Sequence, residues 1–200
     1  MNVKEYNSVK EMTYSDYCDY LQEKYGKGKY NYMTGTWNKN RNSSRTKDGL
    51  VAHHKYENRA ARLADPTFAK EYPYEWQSAE NLVYCDYLEH LLLHILICEE
   101  RLQNAEEGEL VGMGGIIDFI VPELNDLYSG FETRQQWRKN CYDRVIGDKD
   151  VYMELIKRLK MVCATYPFDL IKLLPRSFNK QFGLWDDSKN ATLYAEIMEL

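Results

Sequence analysis

His53 and His54 stand side by side, His90 and His94 stand four residues apart, and these are the only histidines among 200 residues. Positions four apart on a helix face the same way, so His90 and His94 can offer two imidazoles to one point, a common start for a metal site. Taken alone, the spacing is weak evidence, because a histidine on an apolar helix face is more often a core or capping residue. The adjacent pair adds a different property. Neighbours at a strand end point to opposite sides, so His53 and His54 suit separate tasks, one ligating a cation and the other facing a substrate. That division of roles is what metal-assisted hydrolysis requires.

The elements that must carry these residues can be read from the pattern. Residues 50–52, after the turn signal Asp48-Gly49, make a short strand that delivers His53 and His54 at its end. Residues 82–85 have the composition of a second strand, and from 87 to about 102 the period changes to a helix with Leu88, Leu91, Leu92, Ile95 and Leu96 as its buried stripe. The connection over 55–80 is too long for a plain loop; 58–63 suggests one short helix and Pro66 the start of another. Upstream, 14–25 reads as the first helix, with Thr13 or Ser15 as N-cap and Gly26 at its end. Beyond Gly108 the chain reads as all-helical: 111–120, 123–128, 133–145 and 151–166, then shorter stretches at 168–174 and 191–200. Gly112-Met113-Gly114-Gly115 has neither dinucleotide-binding nor Walker spacing, so no phosphate cradle is assigned to it.

Composition sets the class. A chain that is 44% apolar and 14% aromatic can bury one substantial core. No apolar run approaches the ~20 residues of a spanning helix, and residues 1–6 lack the apolar stretch of a signal peptide, so the expectation is a soluble, cytoplasmic protein without a membrane partner. Five scattered cysteines, with no C-x-x-C pair, indicate buried reduced thiols and not a disulfide framework or a thiolate zinc site. The net charge is −5, but it is unevenly spread. From Lys24 to Arg62 ten Lys and Arg stand against two acids, Asp48 and Glu57, so this segment carries +8 and the remainder −13. A polyanion-binding face on an acidic body has this asymmetry, with Lys27, Lys29, Lys39, Arg41, Arg45, Lys47, Arg59 and Arg62 as candidate nucleic-acid contacts. Tyr30, Tyr32 and Trp37 lie among them, suited either to base stacking or to anchoring a long loop on the core.

His53-His54, then Asn81-Leu82-Val83, then Glu89-His90 and His94, with Asn81 nine residues before His90, resembles the HNH nuclease motif of the ββα-metal (His-Me finger) superfamily, in its E-H-x-x-x-H variant. The resemblance covers about 45 residues, 50–94. It implies an α+β fold, mostly α-helical, with a small ββα-metal finger embedded among helices. It implies that His53 and His90 are metal ligands, that His54 is the general base, that Asn81 ties the two strands and positions that base, and that His94 completes the metal site or contacts phosphate. The chain departs from the family after the paired histidines, where Lys55-Tyr56-Glu57-Asn58 replaces the usual Ile-x-Pro and Gly-rich stretch. Asp86 and Glu89 read as charges favoured at a helix N-terminus or as partners of ligands, not as ligands themselves.

The resulting expectation is a metal-dependent endonuclease hydrolysing phosphodiesters, most simply in DNA, with one divalent cation (Mg2+, Mn2+, Ni2+ or Zn2+) and a histidine base. Imidazole ligands favour the softer of these ions. Residues 1–107 would hold the basic region and the HNH core, the motif occupying about 50–102, and 108–200 would form a helical extension packed on it. The competing expectation is a non-catalytic nucleic-acid-binding or interaction module with a structural metal. The same motif on RNA or on damaged DNA, a homodimer and a protein partner are left open by the sequence.

Overall fold

The structure is a computed structural model and describes residues 1–103, 111–165 and 187–200. In chain order its elements are α1 (Val3–Val9), α2 (Tyr14–Tyr25), β1 (Val51–His54), α3 (Pro66–Ala69), β2 (Leu82–Cys85), α4 (Tyr87–Gln103), α5 (Met113–Gly115), a π turn (Ile116–Ile120), α6 (Val121–Tyr128), α7 (Gln136–Asp143), α8 (Lys149–Ala164) and α9 (Asp187–Glu199). The fold is mostly helical with one two-stranded antiparallel sheet, in which His53 pairs with Val83 and His54 with Leu82.

The helix α4 is the centre. From Leu88 to Cys98 it is buried on nearly every side, with only His90 half-buried, and it packs against α2, α8 and the π turn. Such all-round burial is possible because the stretch is apolar beyond a single stripe; each large aliphatic side chain removed from water contributes roughly 1.5–3 kcal/mol. Its start is fixed by reciprocal capping. The Glu89 N–H donates to Asp86 Oδ1 at 2.9 Å, and the Asp86 N–H donates to Glu89 Oε2 at 2.7 Å. The buried N-terminal ammonium of Met1 also pairs with Asp86. Side chains from both sides of Gly108, among them Leu91, Leu92, Ile116, Leu124, Leu155 and Leu159, meet in one core.

The helix over 14–25 is found with Thr13 as its N-cap and Gly26 at φ 78°, a conformation suited to glycine. It is the second helix, because Asn2 caps the short α1 by accepting from the Glu5 N–H at 3.0 Å. The short helix expected at 58–63 is not formed. Instead a 3₁₀ turn occupies Lys55–Asn58, and Arg62 sits at φ 61°, which no right-handed helix accommodates. The helix expected at 168–174 lies outside the described residues. All five cysteines are buried free thiols. Among the described residues no helix is long and apolar enough to cross a membrane.

Candidate metal centre

The end of β1, the turn after it and one face of α4 converge. Ligand atoms of His53, Glu57, His90 and His94 all lie within 4.8 Å of one another. Ring centroids are 5.3 Å apart for His53 and His90, 5.1 Å for His53 and His94, and 4.9 Å for His90 and His94. Glu57 joins because the 3₁₀ turn folds its side chain back over the strand end, where Oε1 accepts from the His54 main-chain N–H at 3.1 Å.

Hydrogen bonds outside the group decide which nitrogen each ring turns inward. The Tyr14 hydroxyl, from α2, is 3.1 Å from the Lys55 carbonyl and 2.8 Å from His53 Nε2. A hydroxyl that donates to the carbonyl accepts from Nε2–H, and the lone pair of His53 is then on Nδ1. That Nδ1 is buried without a hydrogen-bond partner; Glu57 Oε2 is 3.3 Å away but not aligned for one. On His94 the roles are exchanged. Its Nδ1–H donates to the Gly112 carbonyl at 2.8 Å, which turns Nε2 inward, 3.3 Å from the same Glu57 Oε2.

Burial governs two of the rings. Burial lowers the pKa of His53 despite the neighbouring Glu57, and burial together with His94 and His53 lowers that of His90 well below the ordinary value. Burial alone would raise the pKa of Glu57, but contacts with His53, His54 and His94 outweigh it and hold the carboxyl well below its usual range. Three imidazoles and a carboxylate, one imidazole with an orphaned buried nitrogen, form a donor set that could hold a metal ion.

His54 is placed apart from this set. Its Nε2 lies 3.1 Å from Gln77 Oε1, and the Gln77 amide is oriented by donating from its own nitrogen to the Leu63 carbonyl at 3.1 Å. His54 Nδ1 faces Glu57 Oε1 at 3.0 Å. One carboxylate therefore serves three histidines, with Oε1 on His54 and Oε2 among the inward nitrogens of His53 and His94. Asn81 precedes β2, and its amide donates to the Glu75 carbonyl at 2.8 Å and to Ser78 Oγ at 3.0 Å, so its bonds brace the incoming chain and do not reach a histidine. Asp86 and Glu89 are occupied in capping α4 and do not belong to the histidine group.

A cavity of about 350 Å³ opens onto the centre. Glu57, His90 and His94 reach it, whereas His53 and His54 do not line it. Its walls are largely carbon. Ala60, Ala61 and Leu63 come from the β1–β2 connection, and Phe119 and Ile120 come from the π turn. The glycines passed over as a phosphate cradle form the wall beside His94. Gly112 supplies the carbonyl that orients the ring, and a Cβ built on Gly115 would lie 2.5 Å from His94 Cε1. Two contributors were thus missed by pattern reading, Glu57 and this glycine wall. Glu57 did carry a signal, being one of two acids in the basic stretch and four residues after His53.

The basic residues are distributed more widely than a single patch. Arg62 lines the cavity, its guanidinium 4.7 Å from the Phe68 ring centroid. Arg45 is engaged by Asp48 at 2.9 Å and by the Tyr25 carbonyl at 2.6 Å, Lys39 lies over the Tyr32 ring and Arg59 over the Tyr56 ring. Lys27 borders a different hollow with Asp16, Asp19 and Glu23. Lys29, Arg41 and Lys47 are exposed. Trp76 stacks with both Tyr56 and Tyr72, with centroids 4.7 and 5.1 Å away. No protein-family model, curated protein or solved structure matches the chain.

Proposed function

We propose that this chain is a metal-dependent phosphodiesterase of the HNH type acting on nucleic acid in the cytoplasm, with His53, His90, His94 and Glu57 holding one divalent cation. The observation that carries the reading is the convergence of a strand-end histidine with two helix histidines, their inward nitrogens set from outside by Tyr14 and Gly112. Imidazole donors with one carboxylate favour Zn2+, Ni2+ or Mn2+ over Mg2+ in affinity. When bound, such a cation supplies Lewis acidity to a phosphoryl oxygen and to the departing alkoxide.

The chain's own residues handle the proton. Gln77 Oε1 accepts from His54 Nε2–H at 3.1 Å, which turns Nδ1 to within 3.0 Å of Oε1 of Glu57, a carboxylate that lines the cavity. The proton of the attacking water leaves through this Glu57–His54 pair, with His54 as its acceptor. Arg62 at the cavity meets the phosphate charge. The test is incubation of supercoiled plasmid and of a single-stranded oligonucleotide with wild type and His54→Ala under each of the four cations. The expected result is cleavage by wild type alone; no cleavage under any cation, or full activity of the variant, sinks the reading.

A second reading is favoured by one observation, the complete burial of His53 and His54. It makes the cation a structural staple in a binding module. Chelation would then lower the melting temperature greatly, while His54→Ala would retain salt-sensitive nucleic-acid binding and wild type would cut nothing.

A further inference from the structure

We infer that the phosphodiester taken by this centre belongs to an unpaired nucleotide, its base seated against the carbon wall of the cavity, and not to one held in a double helix. The inference rests on the phosphodiesterase reading and adds the substrate class.

The first ground is access. His53 is fully buried and His94 is 4% exposed, so of the four candidate ligands only Glu57 and His90 are half-open, and both open into the cavity. A substrate phosphate has to come through a space of about 350 Å³, within the range of small-molecule sites. A duplex exceeds that space, whereas a phosphate with one flanking nucleoside matches its scale.

The second ground is the chemistry of the walls. A duplex turns its sugar–phosphate backbone outward and keeps its bases stacked inside. Pressed against Ala60, Ala61, Leu63 and Ile120, phosphate oxygens would lose water and gain no hydrogen bond. An unpaired base presents the opposite surface, an apolar face that gains by such contact. Phe119, 63% exposed, offers a ring for stacking where the cavity meets solvent.

The third ground is the placement of charge. Arg62, a non-glycine residue held at φ 61°, puts a cation on the wall, and Asp118 on the π turn puts an anion there. A left-handed arginine is an uncommon conformation, retained where the surrounding chain determines it. Arg62 attracts the phosphate.

The experiment measures binding and cleavage together. A labelled strand of roughly 12 nucleotides, its duplex and the chromogenic diester bis(4-nitrophenyl) phosphate are offered to the protein loaded with Zn2+ or Mn2+. The single strand is expected to bind, by fluorescence anisotropy, about tenfold or more tighter than the duplex and to be cut faster. Ala61→Phe, which adds bulk at a cavity position that is none of the candidate ligands, should weaken single-strand binding by a similar factor while metal content stays at the wild-type level. Ala64→Leu, at an exposed position of the same wall, is the second variant should Ala61→Phe fail to fold. Equal binding and cleavage of strand and duplex, or wild-type strand binding by a folded cavity-filled variant, overturns the inference and leaves the phosphodiesterase reading standing. Failure to cut any of the three, the chromogenic ester included, removes that reading and the inference with it.

Discussion

The carbonyl oxygen of Gly112 lies 2.8 Å from Nδ1 of His94, and the same carbonyl accepts the Ile116 N–H at 3.3 Å. A carbonyl has two lone pairs, so one backbone atom both starts a helical run and fixes the orientation of a candidate ligand.

The glycines around that carbonyl differ sharply in what they tolerate. Gly115→Ala would drive a methyl group into the His94 ring, whereas nothing lies within 4 Å of a Cβ on Gly114. Gly115→Ala should lower cation affinity about 10- to 100-fold, and Gly114→Ala should leave it unchanged, as read by competition with a chromophoric chelator.

Cation binding should also register as stability. At a free concentration about 100 times the dissociation constant, binding to the folded state alone contributes about 2.7 kcal/mol, which for a chain of this size raises Tm by about 5–10 °C. His90→Ala should abolish the rise, and chelator should reverse it in wild type, in differential scanning fluorimetry.

Asp126 is buried, and burial pushes its carboxyl up to about 7, with Arg138 opposing and Glu123 reinforcing the shift. The folded state thus holds a proton that the unfolded chain, near its reference value of about 3.9, has already released. Stability should fall as pH rises from about 4 to about 7 and be level beyond, since the folded state binds more protons throughout that window. Glu89, also pushed up to about 7 by burial and Asp86, adds a slope of the same sign, so Asp126→Asn should reduce the slope in Tm measured between pH 4 and 8 without abolishing it.

Arg138 is itself a buried cation. Its Nε donates to Glu123 Oε2 at 2.6 Å, and the Tyr142 hydroxyl donates to the same oxygen at 3.0 Å. Arg138→Met would leave Glu123 without its counter-charge and should cost about 3–5 kcal/mol in urea unfolding, far more than loss of an exposed ion pair such as Arg45 with Asp48.

Legibility in the sequence followed the range of the interactions involved. The strand ending at His54, the strand over Leu82–Cys85 and the helix from Tyr87 were readable because apolar period and turn residues are local signals. The facing of His90 and His94 followed from helical geometry. Glu57 was not found, because its recruitment needs a 3₁₀ turn that doubles the chain back over its own strand, and the same turn replaced the helix expected at 58–63. Nor was the work of Gly112 and Gly115 visible, since the ring they accommodate lies on α4, across a tertiary contact. Even His54, conspicuous in the sequence, owes its surroundings to Gln77, which nothing in the local pattern links to it.

The π turn over Ile116–Ile120 closes with the Val121 N–H on the Ile116 carbonyl, directly before Pro122, which has no N–H to continue an α-helical ladder. Such a turn holds one residue more than an α-helical turn, and each residue of a helix advances its azimuth by about 100°. Leu124 and Leu127 lock the phase of α6 against the core, so the phase of everything before the turn depends on that extra residue. Deleting one residue within 116–120 would leave composition and apolar character nearly intact, yet it would swing Gly112 and Gly115 about a quarter-turn away from His94. The centre is thus indexed to a count of residues in a neighbouring helix as strictly as to the identity of its ligands.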